Sequence, residues 1–413
     1  MLPIVIAITL NLFLLSKTNV LIVAQNPLLS LSQILSLVGT VLLSITFILS
    51  SRLQFVEKIF GPLDKVYKLH HLLGGISFVL LLHPLLLALR YLPSTPTYVF
   101  LGSNLIYNSG IIALYLLILL LIFTFLINLP YQLWLLTHQF MGLSLLFATL
   151  HVYFIDSDVS RYWPLRLWML FWLGTAAISF IIRKFLYRYF VPHYDYLVES
   201  ISPFGEFVDI YLKPTSVPMK FTPGQFGFFT FYSPATKTES HPFSFASDPS
   251  EKLLRICIKN LGDFTSNLKN LKLNDTVIIQ GPFGQFGQSF YQNQNIVAIA
   301  GGVGITPFIS LFKSVPKDNL VNYHFYYSAK NESLAIDNQF FLQSKLSRFI
   351  YHPWMGDQKS RLSAADIKDQ VPEFKESVFY LCGPYAMMIS LRDQLMKLGI
   401  PQRSIIFEDF SLK

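Results

Sequence analysis

Up to about residue 190 the chain is a series of apolar runs nearly free of charge; from about 191 onward charged positions recur and the apolar runs shorten to strand length. A hydrocarbon core takes about 20 residues of helix, and six such spans fit, at about 3–22, 29–50, 69–90, 109–128, 135–155 and 164–182. The run from Leu2 to Leu15 has no basic residue ahead of it and no small-residue cleavage site before the next span, which predicts a retained helix rather than a cleaved leader. In the polar half, YDYLVESISP, EFVDIYLKP, GQFGFFTFYS, LLRICIKN and TVIIQG are separated by Pro, Gly, Asn and Asp turns, the pattern of short strands in an antiparallel barrel. After about Asn293 strands alternate with helical stretches, which predicts an α/β domain with a parallel sheet. The expected organisation is a six-helix transmembrane bundle over 1–190, an antiparallel β-barrel over 191–288 and an α/β domain over 289–413.

Composition sharpens this division. Of 413 residues 52% are hydrophobic, and the mean hydropathy of +0.46 is high for a soluble enzyme. The two cysteines, Cys257 and Cys382, both fall in the polar half, which excludes a disulfide scaffold and a four-cysteine metal or iron–sulfur site. The net charge of +8 would suggest nucleic acid in a soluble protein, but here the positive-inside rule accounts for much of it, and no nucleic-acid partner is expected. Arg52, Lys58, Lys65 and Lys68 follow the second span, and Arg183, Lys184 and Arg188 follow the sixth, so both exits and the C-terminal half are expected in the cytoplasm of a multi-pass plasma-membrane protein. Asp156, Asp158, Arg161 and Arg166 would lie outside, an imperfect but clear bias.

Two of the apolar runs carry the same chemistry. His70, Gly74 and His83 read H-x3-G-x8-H, and His138, Gly142 and His151 repeat it. A histidine in hydrocarbon leaves polar nitrogens to be satisfied, and two pairs at one spacing suggest a shared metal. Thirteen residues of helix rise roughly 20 Å, so each run would hold one histidine near each side of the membrane, the layout for two stacked haems. His70 would pair with His138 near the cytoplasmic face, and His83 with His151 near the outer face. Each glycine, one turn from the first histidine, would let a flat porphyrin approach the backbone. Thirteen residues also rotate an ideal helix by about 220°, so a kink or an approach from neighbouring faces is required. His71 with Gly75 satisfies the same short spacing, but only His70 reproduces the longer one. The alternative for any single histidine is an interhelical hydrogen bond.

The polar half offers nucleotide chemistry in pieces. In HPFSFAS, residues 241 to 247, Phe243 can pack on an aromatic ring and Ser244 can donate to a ring nitrogen, while the Gly262-Asp263-Phe264-Thr265 segment offers backbone donors to a diphosphate. A Gly-Pro-Phe-Gly turn is by itself only a turn. The strand IVAIA ends at Gly301-Gly302-Val303-Gly304 before the helical ITPFISLFKSV, where glycines allow a pyrophosphate to approach the helix start, although the full G-x-G-x-x-G fingerprint is absent. NYHFYYSAK places Ser328 and Lys330 where an adenosine ribose or its 2′-phosphate would be read, and Lys330 equally suits a plain surface lysine. VFYLCGP is a third buried strand, ending at Cys382-Gly383-Pro384.

The order HPFSFAS, GDFT, GPFG, GGVGITP, CGP and a terminal EDF resembles the ferredoxin–NADP reductase module, and with the histidine-bearing bundle the chain resembles the NADPH oxidase and ferric reductase superfamily, most closely its compact bacterial oxidases. The resemblance implies FAD seated by His241, Pro242, Phe243 and Ser244 and by Gly262, Asp263, Phe264 and Thr265. It implies NADPH, with NADH as a possible substitute, on Gly302, Gly304, Thr306 and Pro307, near Ser328 and Lys330, with Cys382 and Gly383 beside the nicotinamide. Phe410 matches the aromatic that covers the flavin ring in related reductases; its other reading is a buried core phenylalanine. The implied activity is electron transfer from cytoplasmic NAD(P)H through FAD and two b-type haems to an extracytoplasmic acceptor, dioxygen giving superoxide, with no obligatory protein partner. A departure concerns the last step: eukaryotic members resemble one another in an arginine on the second span and a histidine one turn after the outer ligand, whereas here the second span has no arginine, Leu87 follows His83, and Arg90 is the nearest basic residue. A ferric or metal-chelate reductase is therefore a rival, and a transporter or sensor with a regulatory nucleotide domain is a second.

Overall fold

Backbone N–H and C=O groups in hydrocarbon must be satisfied within their own segment, so uncharged apolar runs of this length form helices. The computed structural model describes residues 1–17, 27–90, 100–316 and 318–407. The chain divides into one unit of Met1–Val56 with Lys65–Phe190 and a second of Glu57–Asp64 with Val191–Lys413. The first contains α1 (Leu2–Ser16), α2 (Pro27–Leu49), α4 (Leu63–Leu81), α5 (His83–Arg90), α6 (Leu105–Phe125), α7 (Tyr131–Gln139), α8 (Met141–Phe154) and α9 (Trp163–Ile181); the short α3 (Gln54–Phe60) follows α2. Among the described residues five helices are long and apolar enough to cross a membrane: Pro27–Leu49, Leu63–Leu85, Leu105–Phe125, Gln132–Phe154 and Trp163–Phe190. Helix α1 has 15 residues, about 22 Å at 1.5 Å per residue, short of the ~30 Å of a hydrocarbon core. The expected first span, 3–22, runs partly outside the described residues, so five crossing helices and one shorter apolar helix stand where six spans were drawn.

Both histidine-bearing spans are interrupted between their histidines. Pro84 has no N–H and its ring crowds the carbonyl one turn back, and α4 ends just before it, with the Leu82 N–H shared between Phe78 O at 3.2 Å and Val79 O at 3.3 Å. The partner span breaks at Phe140, whose N–H bonds Thr137 O at 3.0 Å in a tightened turn. Such interruptions are where helices kink, one of the two ways, beside approach from neighbouring faces, that the rotation of an ideal helix left open. Polar groups between helices find partners across the bundle: Ser144 Oγ donates to Ala113 O at 2.7 Å and Trp168 Nε1 to Thr9 Oγ1 at 2.9 Å. Such bonds supply association that apolar contact cannot, because lipid is as apolar as leucine.

The second unit holds two sheets. Strands β1 (His193–Phe204), β2 (Phe207–Pro214), β3 (Phe226–Tyr232), β4 (Ser240–Ser244), β5 (Leu254–Lys259) and β6 (Thr276–Phe283) form an antiparallel sheet in the order β4-β3-β6-β1-β2-β5. Strands β7 (Asn295–Gly301), β8 (Asn322–Ala329), β9 (Phe349–Met355), β10 (Val378–Cys382) and β11 (Ile405–Phe407) form a parallel sheet in the order β11-β10-β7-β8-β9. Its strands are buried on both faces, as a parallel sheet demands: Tyr323 and Phe325 pack on Phe308 and Phe312 on one side, and Val297, Ile299 and Tyr326 belong to the other with Leu391 and Leu395. The chain leaves β7 toward β8 and returns to place β10 on β7's other flank, which makes the β7/β10 boundary the point where strand order reverses.

Residues Glu57–Asp64 pack with this second unit, where Glu57 O accepts from Gln285 Nε2 at 3.1 Å. The Glu57 side chain is 6% exposed. Burial pushes its carboxyl up to about 7, and the nearby Asp64 charge adds to this, while the N–H groups of Gly284 and Leu63 offset part of the rise. A carboxyl whose folded pKa is raised stabilises the fold at low pH and loses that contribution as pH rises from about 4.5, its ordinary value, through about 7. Glu57→Gln should therefore flatten the decline and make the protein more stable than the parent at pH 8 by roughly 1–3 kcal/mol. Thermal unfolding of detergent-purified protein at pH 5 and pH 8 checks this, and an unchanged pH slope counts against it.

Candidate functional site

In the first unit His70 and His138 meet, and His83 and His151 line one cavity. The rings of His70 and His138 have centroids 6.3 Å apart at 66°. With metal–imidazole bonds of about 2 Å and each ring centre about 1 Å behind its ligating nitrogen, two imidazoles on opposite faces of one metal sit about 6 Å apart. His70 Nδ1 lies 3.0 Å from Thr46 O, an N–H···O=C contact that orients the ring and leaves Nε2 as a ligand, the usual support of a metal-bound histidine. Trp134 stacks on His138 at 5.3 Å. His71 is exposed. The second pair shares a cavity of about 570 Å³ lined by both His83 and His151. His151 Nδ1 is 2.8 Å from Ile106 O, the same device on another helix. The Nδ1 atoms of His83 and His138 are buried without a hydrogen-bond partner.

Among the described residues no three His, Cys, Asp or Glu side chains gather to hold a metal ion by themselves. Two facing imidazoles are a donor set that a porphyrin-bound metal would fit. The glycines divide in role. A side chain at Gly74 would meet nothing within 4 Å, whereas one at Gly142 would lie 2.3 Å from the Phe180 ring. Gly74 thus leaves open space as expected, and Gly142 corrects the expectation: its room is taken by an aromatic of α9. Gly110 on α6 was not singled out by sequence, yet a Cβ there would lie 2.7 Å from His151 Nδ1, so it is this glycine that admits the outer imidazole. At the polar end of the cavity Lys17 Nζ bonds Asp158 Oδ2 at 2.5 Å and Gln33 Oε1 at 3.0 Å, and its side chain is 10% exposed. Nothing local in the sequence joins these three; they are distant in the chain. The side chain of Arg90 lies outside the described residues.

In the second unit the HPFS and GDFT segments come together. β4 is an edge strand, which suits Pro242, a residue with no N–H to give a neighbour. His241, Pro242, Phe243 and Ser244 are half-buried along it. The His241 ring stacks on Phe264 at 3.8 Å and lies 6.5 Å from Phe243, while His241 Nε2 is 3.2 Å from Glu239 Oε2. Thr265 has a narrower role than expected: its Oγ1 accepts the N–H groups of Leu261 at 2.9 Å and Gly262 at 3.1 Å, so those two donors close the turn before α10 (Asp263–Asn267). Asp263 opens that short helix and Phe264 serves as the stacking surface.

At the carboxyl ends of β7 and β10 the backbone is packed to the limit. Gly302 needs its freedom for conformation, at φ +54°, and Gly304 for space, because a Cβ there would lie 2.4 Å from Cys382 O. Gly383 is held equally close, with Gly301 Cα 3.0 Å from where its Cβ would stand. Thr306 and Pro307 begin α11 (Thr306–Lys313), with Thr306 Oγ1 on Val303 O at 3.0 Å. Open α/β sheets bind ligands at the crevice where strand order reverses, and both glycine turns stand there. Ser328 ends β8 opposite Gly301 and is half-buried; Lys330 is exposed. Cys382 is 1% exposed and its side chain belongs to the core beside Tyr380 and Ala300. Phe410 lies outside the described residues.

Residues 35–149 match the family described as the ferric reductase like transmembrane component, a stretch that includes His70, His83 and His138 and stops two residues before His151. Residues 197–297 match the FAD-binding domain family and include the HPFS, GDFT and GPFG segments. Flavohemoprotein A of Dictyostelium discoideum is 25% identical over 242 residues, 52% of this chain and 60% of that protein. The flavohemoprotein of Bacillus subtilis is 29% identical, over 50% of this chain and 56% of its own length. The chain thus spans little more than half the length of these curated relatives. A flavohemoglobin from Malassezia yamatoensis, solved with FAD and heme, is 15% identical with a TM-score of 0.51, covering 78% of this chain and 92% of that one, a likeness of fold alone. A ferric-reductase-like membrane domain followed by an FAD-binding reductase module is the architecture of the NADPH oxidase and ferric reductase superfamily, and this chain has it.

Proposed function

We propose that the protein moves electrons from cytoplasmic NAD(P)H, through FAD in the second unit and two b-type haems in the first, to an acceptor across the plasma membrane, with dioxygen giving superoxide as the favoured case. The observation that carries this is the pair of facing imidazoles, His70 and His138, 6.3 Å apart, with one Nδ1 turned onto a backbone carbonyl. Nicotinamide gives electrons in pairs and haem iron takes them singly, a conversion a flavin supplies when bound. His70 with His138 would hold the inner haem and His83 with His151 the outer. The Thr46 and Ile106 carbonyls keep two of the rings in a fixed tautomer. His241, Phe243 and Phe264 offer a stacked aromatic bed for FAD, and the Gly302 and Gly383 turns leave backbone close to a nucleotide, with Ser328 and Lys330 at the ribose end. Among the described residues four helices long and apolar enough to cross a membrane separate Glu57–Asp64 from Val191, an even number that supports placing both ends of the second unit's chain on one side.

Lys17 supplies what the second span lacks. Its ammonium has three donors, two of them held by Asp158 and Gln33 at the cavity that His83 and His151 line. A buried cation beside a site where an acceptor gains negative charge favours the reduced form. A ferric or metal-chelate reductase with the same electron path is the second reading, favoured by the family matched over residues 35–149.

Purified protein should show a haem Soret band and flavin, and its absence would refute both redox readings in favour of a transporter or sensor. With NADPH, superoxide-dismutase-sensitive reduction of cytochrome c supports the oxidase; its absence beside rapid ferric-chelate reduction selects the second reading. His138→Leu should lower the haem count by one per chain while His71→Leu leaves it unchanged, measured from the reduced haem spectrum against protein. Lys17→Met should slow reoxidation of the reduced protein by dioxygen about tenfold or more without changing haem content, as followed by stopped-flow absorbance.

A further inference from the structure

Under this reading flavin and nucleotide are carried by different sheets of the second unit, and a hydride passes only when donor and acceptor atoms approach to about 3–3.5 Å. The bonds that fix one sheet against the other therefore bear on the reaction as well as on the fold. Arg255 on β5 is 5% exposed. Its Nε lies 2.9 and 3.0 Å from the two carboxylate oxygens of Asp209 on β2, and its Nη2 lies 2.7 Å from Asp209 and 2.9 Å from Asp337. Its Nη1 also bonds Asp337. Asp337 belongs to the segment after β8 and sits at φ +51°, a conformation that non-glycine residues seldom take.

The backbone of Arg255 is committed as well. Its carbonyl accepts the N–H of Ala246 at 2.8 Å, and its own N–H donates to Ser247 Oγ at 3.2 Å. Ala246 and Ser247 follow Phe245, the residue after the Phe243-Ser244 end of the edge strand. Ser247 O in turn accepts Ser310 Oγ at 2.8 Å, and Ser310 lies on α11, the helix opened by the Gly302–Gly304 turn. One residue thus ties the flavin segment by its main chain and the nucleotide sheet by its side chain. We propose that Arg255, through its bridge to Asp337 and its backbone bonds to Ala246 and Ser247, is a positioning residue that sets the register between the flavin-bearing and nucleotide-bearing sheets for hydride transfer. In that step the C4–H bond of NAD(P)H breaks and a flavin N5–H bond forms, the electron pair travelling with the hydrogen, so nicotinamide is oxidised and flavin reduced. The proposal rests on the nucleotide sites proposed above. A buried ion pair adds little net stability compared with an apolar replacement, and register is its best-attested use.

The test separates the two roles. Full-length protein loaded with FAD is mixed anaerobically with NADPH, or with NADPH deuterated at C4, and flavin bleaching is followed by stopped flow. The triple variant R255M/D209N/D337N removes every charge of the network at once, so no unpaired ion is left buried. It is expected to retain FAD and melt near the parent, yet to bleach about tenfold or more slowly at saturating NADPH, with half-saturation shifted less than the rate and an altered deuterium effect. Arg255→Lys, which keeps the charge and loses the forked geometry, should slow bleaching in the same direction and carries the test if the triple variant does not fold. Bleaching within twofold of the parent in either folded, FAD-loaded variant overturns the proposal. Parent flavin that neither NADPH nor NADH bleaches brings down the function itself and this proposal with it, a failure visible before any variant is made.

Discussion

An imidazole nitrogen left unmatched among hydrocarbon is costly, and two of the four rings in the first unit are oriented by a bond that relieves that cost. Thr46 and Ile106 lend backbone carbonyls to His70 and His151, which fixes one nitrogen of each ring and leaves the other free. Carbonyls inside helices are normally spent on the ladder, so each extra bond needs a helix held at the right depth. The Ser144 to Ala113 bond pins α8 to α6, the helices that carry His151 and Ile106. Helix packing, ring orientation and ligand readiness are one problem here.

The second unit solves a different problem, the close approach of backbone to backbone. Gly304 faces Cys382 O, and Gly383 faces Gly301, at separations that leave no room for a Cβ. These contacts join β7 to β10 at the reversal of strand order, the place where open α/β sheets bind ligands. The antiparallel sheet contributes an edge strand instead, and its aromatic surface comes from pairing His241 with Phe264 across 23 residues of chain.

Much of this was legible in the sequence, for reasons that differ by residue. The histidine pattern stood out because helix periodicity turns spacing into depth; the break before Pro84 was not singled out, although proline interrupts a helix. Phe140 carried no such signal; its break is set by tertiary packing. Gly142 looked equivalent to Gly74 until Phe180 was seen in its space, since sequence cannot tell which neighbour arrives at a glycine. Lys17 with Asp158, and Arg255 with Asp337, lie 141 and 82 residues apart, and no local pattern joins them. The length of the first span was drawn on hydropathy, which measures apolar length and not where the helix stops.

The interruptions at Leu82 and Phe140 have a mechanical meaning. A continuous helix is a rigid rod, and any twist imposed at one end reaches the other undiminished. Two shorter segments joined at a break behave as separate levers, so the histidines on either side of it can each settle into their own geometry. Substitutions near one end of the bundle then need not disturb packing at the other, and each half can diverge on its own.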